Sequence, residues 1–336
     1  MKRITIVTDA WSPQRNGVVV VLEHLVPALT KTGYEVAVIQ PGLFRFHLPM
    51  PTYPEIRLAL STVRKMRRML QHSRPDHVHV MTEGTLGFAA RLACVRGGLS
   101  FTTSYETQFP LYAEKRMRGL ARPSYRYMRW FHSKSGAIMV PTESMRHILS
   151  AKGFHRLVVW PRGVDANLFK ASACVFKDLP KPCFVYFGRI AIEKNVEEFL
   201  SLPLPGSKLV IGDGPDRAKL ERLYGSSATF VGYKTGQELV DALSCADVFV
   251  CPSRTETFGL TIVEALSCGI PVAAHDATGP RDILTPGVDG FLDEDLARAA
   301  VACLPLSKEA CREKALQYSW GRCVDEFLRH LVPVGR

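Results

Sequence analysis

Residues 247–274 read DVFVCPSRTETFGLTIVEALSCGIPVAA, and the changes of pattern inside this stretch decide the fold. DVFVC is a short apolar run of the kind that forms a strand buried on both faces. SRTETFG is polar and ends on glycine. LTIVEALSC then carries apolar residues at helical spacing, and PVAA restarts an extended run. Strand, helix and strand in succession form a βαβ unit, in which ligands meet the loops at the strands' carboxyl ends. The stretch also sets Glu256 and Glu264 eight positions apart, with the helix expected to begin over Thr257–Leu260 and Glu264 about two turns in. Free amides and the positive helix end favour a diphosphate there, and a carboxylate can accept hydrogen bonds from vicinal hydroxyls. A capping Glu256 with an ordinary exposed Glu264 is the plainer alternative.

The same alternation runs along the chain. RITIVT (3–8), EVAVI (35–39), DHVHV (76–80), SFTTS (100–104), AIMVP (137–141) and LVVW (157–160) are predicted strands separated by segments long enough for crossover helices. After the turn-rich PRGVDANLFKASA (161–173), a second series begins with CFVYFG (183–188), KLVIG (208–212) and ATFVG (228–232). The expectation is an α/β chain of two Rossmann-like, doubly wound parallel-sheet domains with the active site in the cleft between them. The first spans residues 1–165 and binds the acceptor, the second spans 166–318 and binds the donor, and the closing helix in 319–336 returns to the first.

The 336 residues, 46% of them apolar, suffice for two such cores. No apolar run approaches the length of a spanning helix, and MKRITIVTDAW is too short in its apolar part for a secretory signal, so a cytoplasmic protein is expected. Nine scattered cysteines without a CxxC pair predict buried reduced thiols, with neither a disulfide framework nor a metal site. Charge is unevenly divided. Residues 1–170 hold 25 Lys and Arg against 10 Asp and Glu, a balance of +15, and the remainder holds 18 against 22, a balance of −4. The basic residues gather in VRKMRRMLQHSR (63–74), with Arg67 and Arg68, and in YAEKRMRGLARPSYRYMRWF (112–131), with Lys115, Arg116, Arg118 and Trp130. Basic residues interleaved with Tyr112, Tyr125, Tyr127, Trp130 and Phe131 suit an anionic membrane surface. A solvated helix face and a nucleic-acid surface are the other readings of that composition.

No GxGxxG follows the first strand, and GDGPD (212–216) does not complete that fingerprint, so a nicotinamide enzyme is disfavoured. Gly17, just before a helix, can let a helix N-terminus approach a phosphate, or can serve only a tight turn. FGRIAIEKN (187–195) places Arg189 and Lys194 after a strand, where they can neutralise a departing diphosphate or pair with Glu193 or Glu197.

Taken together, GRIAIEKN (188–195), IGDGPDRAKLE (211–221), the run from 230 to 274 and PRGVDANLF (161–169) resemble the retaining nucleotide-sugar glycosyltransferases of the GT-B fold, in the group 1 or family 4 class. TEGTLG (82–87), SYETQFPLY (104–112) and GVDANLF (163–169) are similar to its glycolipid- and mannoside-forming branch. The resemblance implies that Glu256 meets the donor sugar's hydroxyls, Glu264 the ribose diol, and Arg189 and Lys194 the diphosphate. It implies that Gly17 and the Thr257, Phe258, Gly259 and Leu260 segment approach phosphate and sugar, and that Gly232 and Tyr233 lie by the nucleobase. It further implies transfer without a metal or cofactor, the nucleotide-sugar being a substrate.

One departure stands out: relatives with SYHT carry histidine where this chain has Glu106, near the donor sugar. A carboxylate there would repel an anionic sugar, which favours a neutral or amino-bearing hexose; a Glu106 turned to a neighbouring Arg is the alternative. The expected acceptor is a membrane lipid such as diacylglycerol, met on the inner face of the plasma membrane. Glu83 orients its hydroxyl or merely caps the following helix. A polysaccharide or soluble acceptor, a GT-B epimerase, a sugar phosphorylase and a nucleotide-binding protein without activity are the rival readings, and nucleic acid is not an expected partner.

Overall fold

The first unit's strands alternate with helices along the chain, as the apolar runs require. They are β1 (Arg3–Val7), β2 (Glu35–Ile39), an antiparallel hairpin of β3 (His47–Met50) and β4 (Tyr53–Ala59), then β5 (His77–Val80), β6 (Thr102–Ser104), β7 (Ile138–Val140) and β8 (Leu157–Val159). Outside the hairpin they form one parallel sheet in the order β2-β1-β5-β6-β7-β8. The second unit repeats the plan with β9 (Cys183–Phe187), β10 (Ser207–Ile211), β11 (Thr229–Phe230), β12 (Val248–Cys251), β13 (Val272–Ala274) and β14 (Gly290–Leu292), ordered β11-β10-β9-β12-β13-β14. The computed structural model describes residues 1–14, 16–50 and 53–335.

Period-two alternation explains why a central strand such as β9 is apolar throughout. Along β9, Cys183, Val185 and Phe187 enter one core while Phe184 and Tyr186 enter the core on the opposite face. Both faces are covered by helices, so no strand position can be polar without a partner. In each sheet the order reverses once, between β1 and β5 in the first and between β9 and β12 in the second. The two neighbours at such a point send their chains to opposite faces, which leaves a crevice outside their carboxyl ends.

The chain folds into two compact units, Met1–Pro161 with Gly321–Arg336, and Arg162–Trp320. The switch thus comes at 161/162, a few residues before the expected one. Its cause is local: the Val164 amide donates to the Tyr318 carbonyl at 3.0 Å, and a Cβ on Gly163 would lie 2.4 Å from the Trp320 nitrogen. The helix Trp320–His330 buries Cys323, Val324 and Phe327. Phe327 packs on Trp160 with ring centroids 5.0 Å apart, and the Trp160 indole donates to the Cys323 carbonyl at 2.9 Å.

Two expectations are corrected here. Cys174 and Cys245 form a disulfide 71 residues apart, while the other seven cysteines are buried and form no disulfide. Segment 172–176 runs beside the end of the helix Gly236–Leu243, with the Ser172 amide on the Ser244 hydroxyl at 2.9 Å, and only this tertiary contact brings the sulfurs together. The hairpin and β14 were also not anticipated. Both hairpin strands contain a proline, which argues against a strand when read locally, and β14 is a three-residue edge. Among the described residues no helix is long and apolar enough to cross a membrane.

Candidate functional site

The second sheet's switch point carries the densest set of expected residues. After β9 the chain turns through Gly188, at φ 137°, into Arg189, whose side chain is half-buried. The loop after β10 lies directly on this turn. A Cβ on Gly212 would come within 1.9 Å of the Gly188 carbonyl oxygen, and one on Gly214 within 2.2 Å of the Ile190 oxygen. The GDG of residues 212–214 is therefore a packing device that lets two backbones touch beneath Arg189.

Lys194 ends a 3-10 turn, Ile192–Lys194, and Asn195 follows in the left-handed region at φ 55°. Asn195 is bonded to Glu198, which also accepts His275 Nε2 at 3.0 Å on each carboxylate oxygen. His275, buried after β13, was missed by the sequence reading. Its partner lies 77 residues away, and no local spacing reports the contact.

From the neighbouring strand β12 comes Glu256, largely buried. Its carboxylate Oε1 accepts Lys194 Nζ at 2.6 Å, with side-chain exposures of 26% for Lys194 and 11% for Glu256. Of the alternative partners, Glu197 bonds Lys219 instead, at 3.1 Å. Glu256 is no helix cap either. Its own carbonyl is held by the Thr278 hydroxyl at 2.5 Å, and the helix cap position is Gly259, at φ 100°.

The helix itself spans Leu260–Ser267, so Thr257, Phe258 and Gly259 precede it and Glu264 sits one turn in rather than the expected two. The Ile262 amide donates to the Gly259 carbonyl at 2.9 Å, and no side chain caps the start of the helix. Phe258 is buried with its ring 5.7 Å from Tyr318, so it offers a ligand only its backbone. Glu264 is partly accessible, yet burial pushes its carboxyl from 4.5 up to about 7. Gly232, at φ 75°, accepts the Gly212 amide at 2.8 Å, and the adjoining Tyr233 is 42% exposed, as an aromatic platform requires.

At the first sheet's switch point the organising residue is Asp9, after β1, which the sequence reading also missed. Its buried carboxylate accepts the Leu86 amide at 2.8 Å, the Gly87 amide at 3.2 Å and the Thr82 and Thr85 hydroxyls at 2.8 and 3.2 Å. Asp9 thereby caps the helix Thr85–Gly97, and the capping role considered for Glu83 is overturned. Burial raises the Asp9 pKa, against the lowering effect of these hydrogen bonds. The signal was present in TEGTLG: a Cβ on Gly84 would meet the Asp9 carboxyl carbon at 2.5 Å.

Glu83 instead faces His132, Oε1 to Nε2 at 3.3 Å, and His132 Nδ1 meets the Thr103 hydroxyl at 2.8 Å. Burial raises the Glu83 pKa, and the charge of Glu106, on the loop after β6, adds to the rise. Gly17 is the first residue of the helix Gly17–Lys31, capped by Asn16, whose Oδ1 accepts the Val19 amide at 3.1 Å. It is not among the glycines at positive φ, so the tight-turn explanation falls away.

The residues expected at a membrane come from separate segments. Arg67 and Arg68 are exposed on the helix Val63–Ser73, Lys115 on Phe109–Arg116, and Arg118 in the link to the helix Ala121–His132, where Trp130 is 40% exposed. The Arg116 side chain lies outside the described residues. The expected aromatic surface is corrected: Tyr125 and Phe131 are buried, and the Tyr127 hydroxyl donates to the Glu83 carbonyl at 2.7 Å. Helical periodicity puts Tyr125, Met128, Phe131 and His132 on one inward face and leaves mainly arginine outside.

Two doubly wound parallel-sheet units in one chain are the plan of the GT-B fold. Residues 15–168 match Glycosyltransferase Family 4, and residues 172–302 match Glycosyl transferases group 1. A GDP-mannose-dependent alpha-mannosyltransferase of Mycobacterium tuberculosis is 33% identical over 99% of this chain and 97% of its own. An alpha-monoglucosyldiacylglycerol synthase of Streptococcus pneumoniae is 25% identical over 97% of this chain and 85% of its own. Among solved structures, sucrose-phosphate synthase from Thermosynechococcus elongatus superposes with a TM-score of 0.80 at 18% identity, covering 98% of each chain. The protein belongs to the group 1 family of nucleotide-sugar glycosyltransferases and is a hexosyltransferase.

Two outcomes follow from this geometry. In a double-mutant cycle with Lys194→Ala and Glu256→Ala, urea unfolding should give a coupling of about 1.5–3 kcal/mol, the range for a charge-assisted hydrogen bond; additive effects would show the pair to be uncoupled. Because the folded Glu264 carboxyl titrates at about 7 against 4.5 when free, the folded state binds the extra proton in that window. Stability is then full below the lower value and falls as pH rises through the upper one, by at most about 1.4 kcal/mol per pH unit. Glu264→Gln should flatten this slope in urea titrations.

Proposed function

We propose that the chain moves a hexosyl group, with retention of anomeric configuration, from GDP-mannose or a UDP-hexose to a hydroxyl of a membrane lipid such as diacylglycerol. The observation that carries this is the cationic end of the second sheet, where Arg189 and the Lys194–Glu256 pair flank the β9/β12 switch point beside a helix N-terminus. Arg189 holds diphosphate oxygens and Lys194 shares its charge between them and Glu256, which accepts the sugar's hydroxyls. Glu264, once ionised, accepts the ribose diol, and Tyr233 supports the base.

In the reaction the bond from the sugar C1 to the phosphate oxygen breaks and a bond from C1 to the acceptor oxygen forms on the same face. The acceptor's proton passes to the departing diphosphate. The main contribution of the protein is fixed positive charge where negative charge develops, supplied by Arg189, Lys194 and the first-turn amides without a metal. A carboxylate at Glu106, close enough to Glu83 to raise its pKa, disfavours an anionic sugar and supports a neutral or amino-bearing hexose.

The acceptor half of the reading is supported by the basic first unit and by the diacylglycerol acceptor named for the Streptococcus relative. We place the protein on the inner face of the plasma membrane, docked rather than inserted. Mass spectrometry should detect a hexosyl or N-acetylhexosaminyl group on lipid with at least one of GDP-mannose, UDP-glucose, UDP-galactose and UDP-N-acetylglucosamine, and no comparable transfer from UDP-glucuronate, in the presence of vesicles containing diacylglycerol and total bacterial lipid. Arg189→Ala should lower turnover by about 10²–10³-fold, the cost of one preorganised donor, with a much smaller loss of nucleotide affinity. Product on soluble glycans alone, or an isomerised free donor, would overturn the lipid assignment.

A further inference from the structure

At the carboxyl ends of the second sheet, His275 is buried after β13, its side chain 1% exposed, between two acceptors. Its Nδ1 lies 3.2 Å from the Asp293 carbonyl, just after β14, and its Nε2 lies 3.0 Å from each carboxylate oxygen of Glu198. A carbonyl oxygen only accepts, so Nδ1 carries a proton. A carboxylate set against Nε2 then requires a second proton between the ring and the acid. Glu198 Oε2 also accepts Asn195 Nδ2, which reaches the Pro252 carbonyl after β12 at 3.5 Å. Among the described residues of the second unit, Asn195 alone takes a positive φ without being glycine, and it directly follows Lys194. Asparagine tolerates that conformation, and here its side-chain amide is bonded on both sides of the turn. One run of hydrogen bonds thus joins the loops after β9, β12, β13 and β14.

Buried polar and charged networks are costly to desolvate, and apolar side chains of like volume often replace them without loss of stability, so stability alone does not account for this one. What the network does is fix the backbone from which Lys194 reaches Glu256, Nζ to Oε1 at 2.6 Å. The neighbouring charges are engaged elsewhere: Asp293 bonds Arg298 and Asp276 bonds Arg281, each at 2.6 Å, and Glu197 bonds Lys219. We infer that His275 is a positioning residue for the donor diphosphate, setting the place of the Lys194 ammonium through Glu198 and Asn195 by means of the proton it shares with Glu198. The inference rests on the reading of Lys194 as a diphosphate contact and adds the group that holds it there, from a strand that carries no donor residue of its own.

The test is calorimetric titration of the full chain with GDP and with UDP, beside thermal melting of each variant. His275→Leu should weaken binding of the preferred nucleotide by about tenfold, the effect of misplacing one charge-assisted hydrogen bond. Asn195→Gly keeps the left-handed turn without steric cost, removes only the side-chain bonds, and should weaken binding to a similar degree even if His275→Leu does not fold. Glu198→Ala should do the same. Glu198→Gln offers an N–H to Nε2 of a singly protonated ring and an oxygen to Asn195, and should recover most of the affinity that Glu198→Ala loses. Because His275 acts through Lys194, His275→Leu or Asn195→Gly added to Lys194→Ala should bind no more weakly than Lys194→Ala alone, whereas a loss that comes only from reduced stability would lower the melting temperature and leave the affinity of the folded protein unchanged. If Lys194→Ala binds as the unaltered chain does, the diphosphate reading of Lys194 fails, and this inference with it. If Lys194→Ala weakens binding but His275→Leu and Asn195→Gly do not, or weaken it by the same factor when Lys194 is absent, the reading of Lys194 stands and the positioning role of His275 is overturned.

Discussion

The contact on which the second unit's switch point depends is the ion pair between Lys194 and Glu256. It joins the loops after β9 and β12, the two strands at which the sheet order reverses, and it holds opposite charges in a largely buried place where neither is stable alone. Everything around it keeps those loops in register. The glycines at 212 and 214 allow one loop to lie on another, Asn195 and Glu198 fix the turn that carries Lys194, and His275 fixes Glu198. With the loops fixed, a cation and a carboxylate stand side by side at the carboxyl ends of β9 and β12.

The first unit solves the same topological problem with different chemistry. At its switch point a carboxylate, Asp9, takes the amides that would otherwise bind an anion. The helix N-terminus there is thus occupied from within, while in the second unit the start of Leu260–Ser267 has no side-chain cap. The surplus positive charge of the first unit lies elsewhere, on the outward faces of helices whose inward faces carry the aromatics.

Much of this was legible in the sequence because its causes are local. Short apolar runs gave eleven of the strands, and Arg189, Lys194, Glu256 and Glu264 could be placed at strand ends by counting from those runs. What was not legible came from contacts between distant residues. Lys194 and Glu256 are 62 residues apart, so the sequence reading gave them to different parts of the ligand and did not pair them. Asp9 and Gly84 are linked only by the β1–β5 pairing. The helix phase was misjudged because Gly259, at φ 100°, delays the helix to Leu260 and brings Glu264 a turn closer to its start. The aromatics at 112–131 were read by composition when helical periodicity already sorted Tyr125 and Phe131 inward.

The most direct measurement of the donor site is a crystal structure of the protein with a bound nucleotide-sugar. The account expects the diphosphate oxygens within hydrogen-bond distance of Arg189 and Lys194, the sugar hydroxyls on Glu256, and the ribose on Glu264. A diphosphate bound away from the β9/β12 switch point, with the Lys194–Glu256 pair undisturbed and touching no ligand, would contradict it.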